Sequence, residues 1–337
     1  MQTTLANTGT PLASACTPLV SVSLVAYNAE AYIKDAIEGC LMQKTDFPFE
    51  ILIHDDASQD RTPKIVLDYA NMYPDKIVPI LQTENQFSKG FEINGKNVIP
   101  HAQGKYIAFL EADDYWIDPL KLQKQVDFME KHPDVSMCFT ATKEVETSDT
   151  TRVQITRYRN HDSLCTPEDV IIMGGLLVNM ASAVVKKTIY DNVPDWYHCT
   201  QIWDNSVPLL AMMHGKIQYF NEITAVYRSN VPGSETQNNV KNYAKRKSVT
   251  RGIIGLLEGF NEATNHQYDK LINQKSRLIS VGMLLLMDQT DEEFKKYYSK
   301  LSFPLKVEYH VFNFLGSFRL WERYRQVMRL FRKIKYI

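Results

Sequence analysis

Three carboxylates, Glu111, Asp113 and Asp114, fall within four positions at the end of the apolar run in KYIAFLEADDYWIDPLKL (105–122). Carboxylates this close repel one another unless a proton or a cation lies among them, and an oxygen-only donor set suits Mg²⁺ or Mn²⁺. The same residues also fit a solvated acidic turn, so this stretch alone leaves both readings open. Polar groups close three earlier apolar runs as well: Tyr27-Asn28, Asp55-Asp56 and Thr83-Glu84-Asn85. Asn28 also reads as a helix cap, and Asp55, Asp56, Ser58 and Asp60 as ordinary turn formers. A further carboxylate, Asp204, opens an apolar helical stretch, where Asp is a common N-cap.

The elements that would position these groups follow from periodicity. Apolar runs at 19–26, 50–54, 77–81 and 106–110 read as strands. Between the first two, residues 29–41 carry Ile33, Ala36, Ile37 and Leu41 at helical spacing; Thr62-Pro63 opens a second helix. Alternating strands and helices predict an α/β fold with a mostly parallel sheet and helices on both faces. Such sheets bind ligands at the carboxyl ends of their strands, the edge where the four polar clusters fall. Asp118 and Pro119 predict a helix start with Asp118 as N-cap, running to His132-Pro133. Residues 135–140 and 180–185 read as strands, 143–161 as a polar stretch of weak periodicity, and Thr166-Pro167-Glu168-Asp169 as a helix start. Asp204 leads a helix ending near His214-Gly215, and 215–230 suggests two short strands. Beyond residue 239 the spacing is helical.

With 38 basic and 39 acidic residues among 337 and a net charge of −1, the chain lacks the footprint of a nucleic-acid-binding protein. Five scattered cysteines without a CxxC pair fit a reduced, cytosolic chain better than a disulfide framework or a zinc site. Residues 1–17 are polar and read as a flexible lead, and no window is apolar enough to span a membrane. The tail, 312–337, interleaves Arg319, Arg323, Arg325, Arg329, Arg332, Lys333 and Lys335 with aromatic and aliphatic residues. It fits either a helix lying on an anionic membrane surface or one packed on the protein with a solvated basic face.

Two nucleotide motifs are set aside. The first strand is followed by YNAEAY, which lacks the glycines of GxGxxG, and GFEINGKN (90–97) ends in Asn97 where a P-loop requires a hydroxyl.

Three segments taken together resemble the successive motifs of the family 2 glycosyltransferases: VSVSLVAYNAEAYIKDAIEGCLMQ, EILIHDDASQDRT and HAQGKYIAFLEADDYWIDPLKLQKQVDFME. Later, MASAVVKK is similar to the strand leading into the acceptor side, and HGKIQYFNEITAVYRSN to the closing segment of the core. The resemblance implies a GT-A fold, inverting transfer of a sugar from a nucleotide diphosphate to an acceptor hydroxyl, and use of Mg²⁺ or Mn²⁺. By position it places Ala26, Tyr27, Asn28 and Glu30 around the nucleotide and Asp55 or Asp56 at its base. Asn97 is kept among the donor-binding candidates. Glu111, Ala112, Asp113 and Asp114 take the place of the DxD motif, with Asp113 near ribose and metal and Asp114 on the metal. Asp204 sits where the family has its catalytic base. The family often carries YRxH at the end of its core; here the residues are Tyr227-Arg228-Ser229-Asn230, so the histidine's role does not carry over.

The expected organisation is a flexible lead (1–17), a GT-A domain (18–235, with a nucleotide half 18–120 and an acceptor half 121–235) and a helical C-terminal region (236–337). The expected partners are a nucleotide-sugar donor, UDP-linked first, and a glycan or lipid-linked acceptor, with peripheral membrane contact at the inner face and self-association as further expectations. Two rival readings are a sugar nucleotidyltransferase, for which YNAEAY is a poor phosphate loop, and a non-catalytic glycan- or partner-binding module on the same fold.

Overall fold

The computed structural model describes residues 17–90, 93–200, 203–234, 243–284, 292–299, 301 and 303–314. The expected flexible lead and nearly all of the basic tail lie outside the described residues.

The first strands and helices form where periodicity places them: β1 (Val20–Ala26), α1 (Ile33–Leu41), β2 (Phe49–Asp55), α2 (Thr62–Met72), β3 (Ile77–Leu81) and β4 (Tyr106–Glu111). These four strands pair in parallel in the order β3-β2-β1-β4. Val20, Val22, Leu24 and Ala26 on one face of β1 join Ile33, Ala36, Ile37 and Cys40 of α1 in a buried core. Ser21 and Ser23, on the opposite face, reach Glu50 Oε1 and Asn94 Oδ1, each at 2.6 Å, because buried hydroxyls need partners.

After β4 come β5 (Tyr115–Trp116), α3 (Lys121–Lys131), β6 (Val135–Glu146), β7 (Asp149–Thr156), β8 (Ser163–Leu164), α4 (Pro167–Met173), β9 (Val184–Lys186), α5 (Trp203–His214) and β10 (Lys216–Ser229). The sheet becomes mixed here and continues as β4-β9-β6-β10-β5, with β7 on β6 and β8 on β10. Strand β9 runs antiparallel to β4 and β6, whereas β10 is parallel to β6.

Four expectations are corrected. Asp118 does not cap α3, which starts at Lys121; its Oδ1 accepts from the Leu120 N–H at 2.9 Å while Tyr115 and Trp116 pair with β10. The strand expected over 180–185 splits into a 3₁₀ turn, Met180–Ser182, capped by the Asn179 side chain, and the short β9. The polar stretch 143–161 holds the end of β6 and all of β7; that ribbon is solvated on both faces, so its sequence shows no alternation. The two strands expected over 215–230 are one bulged strand, β10. Asn221, within the span expected to hold two strands, is held in the single strand by Asp162 Oδ1 at 2.7 Å and by the Asn160 carbonyl at 2.8 Å.

Helices α6 (Tyr243–Ala263), α7 (Asp269–Leu284), α8 (Glu292–Ser299) and α9 (Phe303–Phe314) follow. By contacts the chain divides into two compact units. The first comprises the described residues of Met1–Leu164, Val178–Asn192 and Gly215–Ser229, and so holds the whole sheet. The second comprises those of Cys165–Leu177, Val193–His214 and Asn230–Ile337, so α4 and α5 group with the C-terminal helices. Within it, α6 packs on the 3₁₀ turn Asp195–Cys199, where a Cβ on Gly259 would meet the Trp196 Cβ at 2.3 Å. Among the described residues, no helix is long and apolar enough to cross a membrane.

Candidate active site

In the first unit, β2, β1 and β4 are adjacent and parallel, with Ala26 in register with Asp55 and Val25 with Glu111. Their carboxyl ends therefore lie side by side. The Asp56 N–H donates to the Ala26 carbonyl and the Ala112 N–H to the Val25 carbonyl, both at 2.9 Å, extending the ladder one residue beyond each end. Residues 26–30, 55–60 and 111–114 are thus brought to one edge, as expected from sequence.

The loop after β1 is shaped by the loop after β2. Asn28 adopts φ +47°, a left-handed conformation that Asn tolerates better than most residues. Its N–H donates to Ser58 Oγ and its Oδ1 accepts from the Gln59 N–H, both at 2.8 Å. Glu30 accepts from the Arg61 N–H at 2.8 Å, and its own N–H donates to Asp60 Oδ2 at 3.0 Å. Tyr27 is 52% exposed at the open edge. Asp55 and Asp56 are buried and engaged by neighbouring loops. Asp55 accepts from the Ser58 N–H and hydroxyl at 3.1 and 2.5 Å, and Asp56 from the Gln86 and Phe87 N–H groups at 2.7 and 3.0 Å. Burial raises the Asp55 carboxyl above its ordinary range, against the lowering effect of the Ser58 hydrogen bonds.

Asn97 is half-buried in a π-helical turn, Asn94–Val98, tied through the Asn94–Ser23 bond to the middle of β1 and not to its end.

The acidic turn is the least compensated part of this edge. Asp114 is 1% exposed; Oδ1 accepts the Arg228 N–H at 2.9 Å, while Oδ2 is buried with no hydrogen-bond partner. Burial first, then the Asp113 and Glu111 charges, push its carboxyl well above the ordinary range, with Arg228 opposing. Burial also raises Asp113, again against Arg228. A buried carboxylate oxygen without a donor is what an oxygen-seeking cation would satisfy, so the turn fits Mg²⁺ or Mn²⁺. The described residues contain no group of three or more His, Cys, Asp or Glu able to hold a metal by themselves. Two carboxylates with the remaining positions left to phosphate and water is an arrangement Mg²⁺ commonly uses.

Three positioning residues escaped the sequence reading. Trp116, buried, donates from Nε1 to the Ala181 carbonyl at 2.7 Å and so anchors the chain just after the turn. Arg228 donates from Nη1 to the Asp113 carbonyl at 2.8 Å, pairs through Nη2 with Asp35 of α1, and lies 4.4 Å from the Tyr115 ring centroid and 5.3 Å from that of Tyr32. Asp35 and Arg228 are 193 positions apart, and no local pattern signals their pairing.

Asp204 belongs to the second unit, in the first turn of α5. Its Oδ1 accepts from Asn205 Nδ2 at 2.9 Å, and Asn205 Oδ1 in turn accepts from the Gly175 N–H at 2.9 Å. Gly174 takes φ +55°, and a Cβ on Gly175 would stand 2.7 Å from both Asp204 Oδ2 and Asn205 Nδ2, so the Gly174-Gly175 turn must carry no side chain where it meets the carboxylate. Burial raises the Asp204 carboxyl from 3.8 to about 6, with the Asn205 hydrogen bonds opposing. A group of that acidity is suited to exchanging a proton near neutral pH.

The sequence profile of Glycosyl transferase family 2 matches residues 21–184, the span that carries all three strand ends. An uncharacterised protein of Mycobacterium tuberculosis is 32% identical over 220 residues, which are 64% of this chain and 60% of that one; the present chain thus spans less than two thirds of that relative's length. The Escherichia coli UDP-Glc:alpha-D-GlcNAc-diphosphoundecaprenol beta-1,3-glucosyltransferase WfaP is 38% identical over 112 residues, 33% of this chain and 41% of that one. Among solved structures, the mannosyltransferase PcManGT of Pyrobaculum calidifontis, in complex with GDP-Man and Mn²⁺, aligns with a TM-score of 0.54 over 93% of this chain and 88% of its own at 15% identity. The shared architecture is that of the GT-A glycosyltransferases.

Proposed function

We propose that this chain, whose residues 21–184 form a family 2 glycosyltransferase domain, transfers a sugar with inversion from a nucleotide diphosphate donor to an acceptor hydroxyl. One observation carries the reading: the β1, β2 and β4 ends meet at one edge, and the turn there leaves the buried Asp114 Oδ2 unpaired.

On this reading the loops after β1 and β2 receive the nucleoside, with exposed Tyr27 and the fixed backbone at Asn28 beside the base. Asp55 and Asp56 act by holding those loops in shape, and Glu30 braces them from the same side. Asp113 and Asp114 would hold Mg²⁺ or Mn²⁺, which as a Lewis acid lowers the cost of the charge growing on the departing diphosphate. Asn97 is left as a more distant donor candidate. Asp204 accepts the proton of the acceptor hydroxyl as its oxygen bonds the anomeric carbon. The bond from that carbon to the diphosphate oxygen breaks on the opposite face, so the configuration inverts and the nucleoside diphosphate leaves with the bonding pair.

WfaP is named for a UDP-linked glucose donor and a diphosphoundecaprenol-linked acceptor, which supports a UDP-sugar and a lipid-linked glycan as the substrate classes here, in the making of a cell-surface polysaccharide. Seven cations with one acidic residue in 315–337 support contact with the inner face of a membrane. Co-sedimentation with anionic but not neutral vesicles checks that contact.

The decisive assay is a panel of UDP- and GDP-sugars with Mn²⁺, read by calorimetric binding and by release of nucleoside diphosphate. Asp114→Asn is expected to fold and to lose metal-dependent nucleotide binding by at least about tenfold. No binding and no turnover across the panel refutes the reading.

A further inference from the structure

We infer that Asp35 and Arg228 form a positioning pair that keeps the acidic turn receptive to a divalent cation, Arg228 fixing the turn while Asp35 draws its charge away from the carboxylates. This deepens the proposed function and rests on the turn being a cation site.

A guanidinium is always charged, and its planar fork favours carboxylates, ideally in pairwise contact. Two carboxylates, those of Asp113 and Asp114, stand on the turn that Arg228 holds. Yet the side-chain hydrogen bond to the turn goes from Nη1 to the Asp113 carbonyl at 2.8 Å, and the contact with Asp114 Oδ1 comes from the Arg228 backbone N–H at 2.9 Å. The carboxylate that takes Nη2 is Asp35, in the first turn of α1.

The consequence is a division of labour. The backbone N–H and Nη1 hold the turn at two points, so the peptide between Asp113 and Asp114 cannot rotate freely. The positive charge is matched outside the turn, and Asp114 Oδ2 stays buried without a donor. Tyr115 and Tyr32, with centroids 4.4 and 5.3 Å from the guanidinium carbon, confine the fork between them. The Arg228 side chain is 15% exposed and that of Asp35 56%. An ion pair with one partner this exposed adds little to stability. Its effect is on direction: without the Asp35 carboxylate to hold Nη2, the fork is released toward Asp113 and Asp114 and competes with a cation for the same oxygens.

The test is Mn²⁺ binding, followed by the electron paramagnetic resonance signal of free Mn²⁺, in the presence of UDP or GDP. The proteins are the wild-type chain, Asp35→Asn, Arg228→Lys, the double variant and Glu38→Gln. Glu38 lies one turn further along α1 and bonds the Tyr69 hydroxyl, so its variant removes the same charge without touching the pair. Asp35→Asn is expected to raise the Mn²⁺ Kd by about three- to tenfold while leaving metal-free nucleotide affinity unchanged. Arg228→Lys keeps the charge, loses the fork and also weakens binding. The double variant should fall short of the product of the two single effects, because the residues act as one unit. Glu38→Gln should match the wild type. The inference is overturned if Asp35→Asn stays within twofold of wild type, or if Glu38→Gln loses as much. A wild-type chain that binds no Mn²⁺ with either nucleotide overturns the cation reading itself, a result distinguishable from failure of the pair alone.

Discussion

Asp204→Asn is expected to stabilise the second unit at neutral pH while abolishing transfer. The Asp204 carboxyl rises from 3.8 to about 6 because burial disfavours its charged form. Since the folded state then binds the proton more tightly than the unfolded chain, the carboxyl costs nothing below about pH 4. Its cost grows through the interval to pH 6 and is fully present above it. With 1.36 kcal/mol for each pH unit between 3.8 and 6, the cost approaches about 3 kcal/mol at pH 7.5. An amide of nearly the same shape carries no such charge, and its oxygen can still accept from Asn205. Urea denaturation of wild type and variant from pH 4 to 7.5 should therefore show no difference at the acid end and a variant more stable by about 1.5 to 3 kcal/mol at the neutral end. The same ionisation should appear in kinetics, with kcat/KM falling as pH drops through about 6 because the protonated carboxyl cannot accept the acceptor's proton. A stability difference that does not change with pH, or a variant less stable at pH 7.5, refutes the argument. Normal turnover by Asp204→Asn removes the residue from the catalytic role proposed for it.

Gly175→Ala places a methyl 2.7 Å from Asp204 Oδ2 and Asn205 Nδ2, and is expected to lower stability by about 1–3 kcal/mol and to reduce kcat more than donor affinity, read by melting and initial rates. Lys121 is buried, bonds Gln125 Oε1 at 2.7 Å and lies 4.5 Å from the Trp116 ring centroid; burial lowers its ammonium to about 7. Because its folded affinity for protons is below that of the unfolded chain, the wild type should gain stability as pH rises from about 7 toward 10.5, and Lys121→Met should flatten that rise in denaturation curves.

Much of the sheet's first part, β1 to β4, was legible because its signals are local. Apolar runs of strand length, helical spacing in α1 and Pro63 at the start of α2 each depend on neighbours within one turn, and all formed where expected. The meeting of the strand ends near Asn28, Asp56 and Asp114 followed from topology, since parallel strands joined by helices put their carboxyl ends on one edge.

What escaped the sequence depends on partners distant in the chain. Residues 215–230 read as two strands until Asp162 and Asn160 hold Asn221 within one, and Asp118 reads as a cap until Tyr115 and Trp116 are drawn into pairing with β10. The amino-acid order by itself determined which carboxylates could do chemistry and which strands carry them. Tertiary structure decided their state: that Asp114 keeps one oxygen unpaired, that Asp204 is buried enough to titrate near pH 6, and that Arg228 turns its charge toward Asp35. Burial and charge pairing depend on which surfaces meet in three dimensions, and composition along the chain does not encode those distances until the fold has closed.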